Sequence, residues 1–196
     1  MRPLLLATTN PHKVREVRGL LRGEAVQLNA LADLPPLEEP EETGDTFEAN
    51  ARLKALYYAA AHPGLVVSED SGLEVDALDG EPGVRSAGYL SAGASHGERF
   101  ADILRRLKGV PDADRTARFV CALAVADGGL VRFETRGVIE GRIAHVPAGS
   151  GGFGYDPIFV YPPLGCTLAE AGDVKATVSH RAQAFGALAR WLRDLG

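Results

Sequence analysis

The chain has 196 residues, 45% of them hydrophobic and 24% charged, a globular composition that allows one substantial core or two small lobes and excludes a disordered or fibrous chain. A formal charge of −5 gives no general basic field for a polyanion, so no nucleic acid is expected as a partner and any anionic ligand must be met by a local cluster of bases. Cys121 and Cys166 form no C-x-x-C pair, "MRPLLLATTN" is too short for a signal peptide and no stretch approaches the ~18 apolar residues of a membrane span, so a reduced, cytoplasmic chain without a membrane partner is expected.

In chain order, "PLLLAT" reads as a short buried strand. The next residues, "TTNPHKVREVRGLLRG", read as a turn and helix, with Asn10 as cap, Pro11 as first helical residue, and Val14, Val17 and Leu21 on one face. Such a helix start favours an anion, and Thr8, Thr9, Asn10 and Lys13 would add donors; equally, Asn10 simply caps the helix and Lys13 is solvated. No G-x-x-x-x-G-K-[ST] pattern is present. "DLPPLEEPEETGD", residues 33–45, carries six acids and no base and reads as a loop that concentrates negative charge. From Thr46 a helix buries Phe47, Ala51, Ala55 and Tyr58, sets Asn50, Lys54 and Tyr57 on a neighbouring stripe, and stops at Pro63-Gly64.

"LVVS" is then a strand, and "SEDSGLEVDALDGEPG" poses a question, because Glu69 and Asp70 are adjacent and adjacent strand residues point to opposite faces. A turn at Ser71-Gly72 would let both approach one ion; otherwise the acids are solvated loop residues. "LEVDAL" reads as a further half-buried strand. "SHGERFADILRRLKG" carries a capping box, Ser95 with Glu98, and buries Phe100, Ile103, Leu104 and Leu107. Residues 117–143 read as a hairpin turning at Gly128-Gly129. In "GGFGYD" the glycines leave one face of Phe153 open, as base stacking requires, though loop flexibility also explains them. The last helix, capped by Ser179, turns Ala182, Phe185, Leu188 and Leu192 inward; Lys175, His180 and Arg181 gather near its start, where positive charge opposes the helix dipole. The five histidines show no zinc-ligand spacing.

The 21 basic residues include only four lysines: Lys13, Lys54, Lys108 and Lys175. Three of them fall in the segments just described, where a compact ammonium on a flexible stem suits phosphate or base contacts.

Five ordered segments, "TTNPHK", "EETGDTFEANARLKA", "SEDSGLEVDALDGEPGVRSAGY", "GGFGYDPIF" and "SHRAQAF", resemble the inosine triphosphate pyrophosphatases over nearly the whole chain. The resemblance implies an α/β fold, a mixed elongated β-sheet flanked by helices, as a single domain over 1–196 with two lobes around a cleft. It also implies Mg²⁺ as cofactor, a homodimer, and hydrolysis of non-standard purine nucleoside triphosphates such as ITP, dITP and XTP to monophosphate and pyrophosphate. Carried over by motif, Thr8, Thr9, Asn10, Pro11, His12 and Lys13 resemble the triphosphate turn, with Lys54 adding positive charge. Glu42 and Asp70 resemble the Mg²⁺ ligands, Asp70 also the proton acceptor, and Ser71 a substrate contact. Glu69, where aspartate is more usual, joins them as a metal ligand. Phe153 resembles the purine-stacking residue, and Gly154, Tyr155, Asp156, Lys175, His180 and Arg181 the base-recognition set. The related septum-associated nucleotide pyrophosphatases, which prefer pyrimidine or modified nucleotides, and a nucleotide sensor without chemistry are the rivals; "FGYD" with "SHR" favours the purine reading, and the acids disposed for a metal favour an enzyme.

Overall fold

A computed structural model describes residues 1–35 and 37–195; Pro36, inside the acidic loop, and Gly196 lie outside the described residues. In chain order the elements are β1 (Arg2–Leu6), α1 (Pro11–Leu20), β2 (Val26–Ala30), α2 (Phe47–Ala61), β3 (Leu65–Val75), α3 (His96–Arg106), β4 (Thr116–Asp127), β5 (Leu130–Ile143), β6 (Phe159–Tyr161), β7 (Cys166–Thr167), α4 (Lys175–Val178) and α5 (His180–Asp194). The strands form one mixed seven-stranded sheet in the order β2-β1-β3-β4-β5-β6-β7. β1 is parallel to both β2 and β3, whereas β6 is antiparallel to β5 and β7. Leu4, Leu5 and Leu6 are all buried, as a parallel strand covered on both faces requires.

The chain divides into two compact units. The first comprises 1–70, 121–137 and 180–196. Its core joins Leu4, Leu6 and Val67 of the sheet to Val14 and Val17 of α1 and to Phe185, Leu188 and Leu192 of α5. The second comprises 71–120 and 138–179. Its core gathers Leu73, Val75, Ile103, Leu107, Phe119, Ile139, Tyr155 and Phe159.

Most expected local signals are present. Asn10 caps α1 with Pro11 in its first turn, Thr46 caps α2, and Ser95 and Glu98 form the capping box of α3. β4 and β5 meet across Gly128-Gly129. Two readings need correction. The two strands expected on either side of Ser71-Gly72 are a single strand of eleven residues, because pairing in the sheet carries β3 through the polar stretch. Lys175 does not belong to the first turn of the last helix: α4 is a single turn of its own, and Ser179, in extended conformation, separates it from α5, which begins at His180 directly after the expected cap. The short strands β2, β6 and β7 were not anticipated; each is held by its neighbour's ladder rather than by its own apolar pattern.

In the first unit, the approach of α5 to the sheet depends on Gly137. A Cβ on that residue would overlap the His180 carbonyl oxygen and sit 2.8 Å from the Ala184 nitrogen, so only glycine lets the start of α5 lie this close to β5.

Candidate active site

Because β3 stays extended, Glu69 and Asp70 leave it on opposite faces, each with its own set of partners. Glu69 faces the starts of α1 and α5. Its Oε1 accepts from the Lys13 Nζ at 2.9 Å and from the Arg181 Nη2 at 2.9 Å, and its Oε2 accepts from the Arg181 Nε at 2.9 Å and from the Cys121 Sγ at 2.9 Å. Both side chains of the Glu69–Arg181 pair are 1% exposed, and the Arg181 Nη1 reaches Glu16 at 2.7 Å. Burial works to raise the Glu69 carboxyl, but Arg181 and Lys13 beside it, with the hydrogen bonds from Arg181 and Cys121, hold it well below the usual carboxylate range. Burial and the Glu69 charge push the Cys121 thiol well up, so it stays a protonated donor.

Asp70 faces α2. Its Oδ2 accepts from the Asn50 amide at 3.2 Å, and its Oδ1 lies 3.6 Å from the Lys54 Nζ. The same ammonium is in direct contact with Glu42 from the acidic loop. Asn50 also accepts from the Gly44 N–H at 2.8 Å, which ties the end of that loop to the helix carrying Lys54. Burial raises the Asp70 pKa, and nearby Glu42 adds to this; Lys54, Lys13 and Asn50 oppose the rise without cancelling it. Burial works against the charge on Lys54, but Asp70 and Glu42 hold its pKa above the ordinary lysine value. A buried carboxylate with a raised pKa beside a lysine kept charged is an arrangement suited to taking a proton next to a bound anion.

Of the residues in the "TTNPHK" turn, Lys13 points to Glu69, while the Thr8 Oγ1 accepts from the Asn10 N–H at 3.2 Å and the Thr9 hydroxyl donates to Glu39 at 2.9 Å. The Asn10 Oδ1 takes the His12 and Lys13 N–H groups, at 2.9 and 3.4 Å, and Pro11 has none to offer. The cap therefore occupies the His12 and Lys13 backbone donors, while the dipole and the Lys13 side chain still attract an anion. His12 is exposed.

The second unit carries a separate group. The Asp156 Oδ2 accepts from the Phe153 N–H at 2.7 Å and from the Lys175 Nζ at 2.7 Å, and that ammonium lies 4.8 Å from the centre of the Phe153 ring. Gly152 is left-handed, with φ +69°, and a Cβ there would overlap the Asp156 carboxylate, so glycine is needed to close the turn that presents Phe153. Gly154 follows at φ +63°. Ser71, directly after Asp70, is half-buried within β3.

Three expected roles need correction. Glu69 is no metal ligand: four donors saturate its two oxygens and it is closed off from solvent. Arg181, expected in the base-recognition set, is tied to Glu69 and Glu16 through its Nε and one N–H on each terminal nitrogen, so its main partners are structural carboxylates. Tyr155 is a core residue whose hydroxyl donates to the Ser86 carbonyl at 2.8 Å. His180 is buried at the start of α5, in the first unit. Asn50 and Cys121 were not singled out as site residues, although a polar side chain beside the buried stripe of α2 was a signal for the former.

Among the described residues no group of three or more His, Cys, Asp and Glu is placed to hold a metal ion. Asp70 and Glu42, both in contact with Lys54, are the carboxylates that could supply hard oxygens, the remaining positions being left for water or ligand oxygens. That donor set fits Mg²⁺, which uses one or two carboxylates and keeps several waters.

Comparison with known proteins adds a family, two relatives and two solved structures. The model of the Ham1 family matches residues 4–191. A dITP/XTP pyrophosphatase of Exiguobacterium sp. is 48% identical, with 93% of this chain and 92% of that protein covered. One of Bacillus subtilis is 42% identical with 98% of each covered. Among solved structures, a HAM1 protein from Coxiella burnetii is similar with TM-score 0.89 at 36% identity, covering 99% of this chain and all of that one. A dITP/XTP pyrophosphatase from Mycobacterium abscessus is similar with TM-score 0.77 at 40% identity, covering 95% of this chain and 98% of that one.

Proposed function

This chain belongs to the Ham1 family, and we propose that it hydrolyses non-standard purine nucleoside triphosphates such as ITP, dITP and XTP to the monophosphate and pyrophosphate. Water adds across the anhydride between the α- and β-phosphates: one P–O bond forms, the bridging bond breaks, and pyrophosphate leaves. The observation that carries this reading is buried Asp70 with its carboxylate 3.6 Å from the Lys54 ammonium. The names of relatives 42% and 48% identical, dITP/XTP pyrophosphatases, support the substrate class.

Phosphoryl chemistry asks for positioning and charge neutralisation more than for covalent help. Asp70 orients the attacking water and takes its proton; with Mg²⁺ beside it the carboxylate would be a weak base, whose effect rests on holding an acidified water in line. Asn50 holds that carboxylate in place from the opposite oxygen. An ammonium has three donors, so Lys54 can keep a carboxylate and still bond a phosphate oxygen, and Lys13 can do the same from Glu69. Asp70 and Glu42 would hold Mg²⁺, which when bound neutralises charge on the phosphates. Phe153 offers a ring face to the purine, and Lys175 a donor to a 6-oxo group. Adenine's 6-amino group would set donor against donor, and such mismatches reject strongly. In this reading the protein works as a homodimer in the cytoplasm.

Asp70→Asn tests the assignment, since it keeps the shape and removes the base. Turnover of ITP should fall at least about a hundredfold while ITP binding is retained. Near-normal turnover would remove Asp70 from the reaction.

A further inference from the structure

The exposed side of α1, away from Glu69, carries features that the hydrolytic site does not use. Arg15 and Arg18 share one side of the helix with Pro11 and Gly19, and Arg22 follows in the turn just after it. Together with Ala32 and Asp33 from the turn after β2, these residues line a groove of about 450 Å³, within the range of small-molecule sites. Arg18 pairs with Asp33 at 2.7 Å, and Asp33 also accepts from the Ala30 N–H at 2.9 Å, so the one carboxylate in the groove is neutralised and fixed. Neither Arg15 nor Arg22 has a carboxylate partner among the described residues, in a chain whose net charge is −5.

Gly19 is a second and independent observation. It lies in the last turn of α1, where glycine weakens a helix relative to alanine, yet a Cβ there would meet nothing within 4 Å. Chain reversal does not require it, because the left-handed residue after α1 is Gly23, at φ +92°. Attraction to the helix dipole accounts for a base at Arg18 or Arg22 near the C-terminal end, but not for Arg15 or for the bare backbone between them. A ligand that presses on the helix between the guanidinium groups accounts for both.

We propose that this groove is a second anion site, distinct from the one at Asp70, and that it takes a short polyphosphate chain, either free or as the tail of a nucleotide. Planar guanidinium groups bond phosphate oxygens in pairs, and three of them, Arg15 and Arg18 on α1 and Arg22 just after it, line this one groove.

The test is equilibrium binding of inorganic tripolyphosphate, and in parallel of ITP, to the full chain in EDTA, with Asp70→Asn protein used so that nothing is hydrolysed. Two further proteins carry Arg15→Gln with Arg22→Gln, or Gly19→Ala, on the same background. The expected result is a tripolyphosphate site that weakens at least tenfold in the double arginine variant and severalfold in Gly19→Ala, although the latter melts higher than its parent. If ITP loses affinity in the same proportion, the ligand is a nucleotide tail; if only tripolyphosphate does, it is the free anion. Unchanged tripolyphosphate binding in both variants would overturn the proposal, as would a groove that takes single-stranded RNA but not tripolyphosphate. The same arginine substitutions in otherwise native protein should leave the basal hydrolysis rate unchanged.

Discussion

Glu69 and Asp70 are neighbours in sequence and differ in almost every physical respect. Glu69 is an anchored anion serving two cations from two helices, whereas Asp70 is more loosely held, close to a single ammonium and a single amide. Replacing Glu69 with Gln should leave the buried Arg181 with Glu16 as its remaining carboxylate partner, at a cost of roughly 3 kcal/mol, measurable by urea unfolding at pH 7. The pH dependence has a definite sign. The folded-state pKa of Glu69 is lowered, so its contribution is present above the unfolded value and is lost as pH falls through the folded one. The stability gap between the native protein and Glu69→Gln should therefore narrow only below about pH 4.5, and a gap that closes between pH 6 and 8 would contradict the pairing. Lys13, Lys54 and Asp70 were legible as candidates from their motifs. Which carboxylate each lysine meets was not, because that depends on how α1, α2 and α5 sit on the strand.

Among the elements, β3 teaches the most. Ser, Glu, Asp and Gly have low strand preference, and "SEDSG" reads as a break for that reason. It stays a strand because neighbouring strands supply its ladder and because both acids find partners on their own faces. Capped helices with apolar stripes were legible almost to the residue, as in α1, α2 and α3, since caps and periodicity are local. Short strands such as β2, β6 and β7 were not, since their pairing is with distant segments. Gly137 shows the same dependence on distant contacts. Gly137→Ala should displace the start of α5, which carries Arg181, and lower stability by about 1–3 kcal/mol in urea unfolding, whereas a similar glycine-to-alanine change at Gly129, with open space around it, should cost far less.

At the scale of the whole molecule, the two units have separate cores and carry different polar groups. The first holds the acids and lysines around β3; the second holds Phe153, Asp156 and Lys175. No helix among the described residues is long and apolar enough to cross a membrane. With a net charge of −5 any polyanion depends on local cations, and around β3 these are Lys13 and Lys54, each already paired with a carboxylate. The most direct measurement is to incubate the protein with Mg²⁺ and, in parallel, ITP, XTP, ATP and GTP, and to identify the products by ion-exchange chromatography. The expected result is inosine or xanthosine monophosphate with pyrophosphate, and ATP and GTP hydrolysed at least about a hundredfold more slowly. Release of orthophosphate with a nucleoside diphosphate, or equal rates on ATP and ITP, would contradict it.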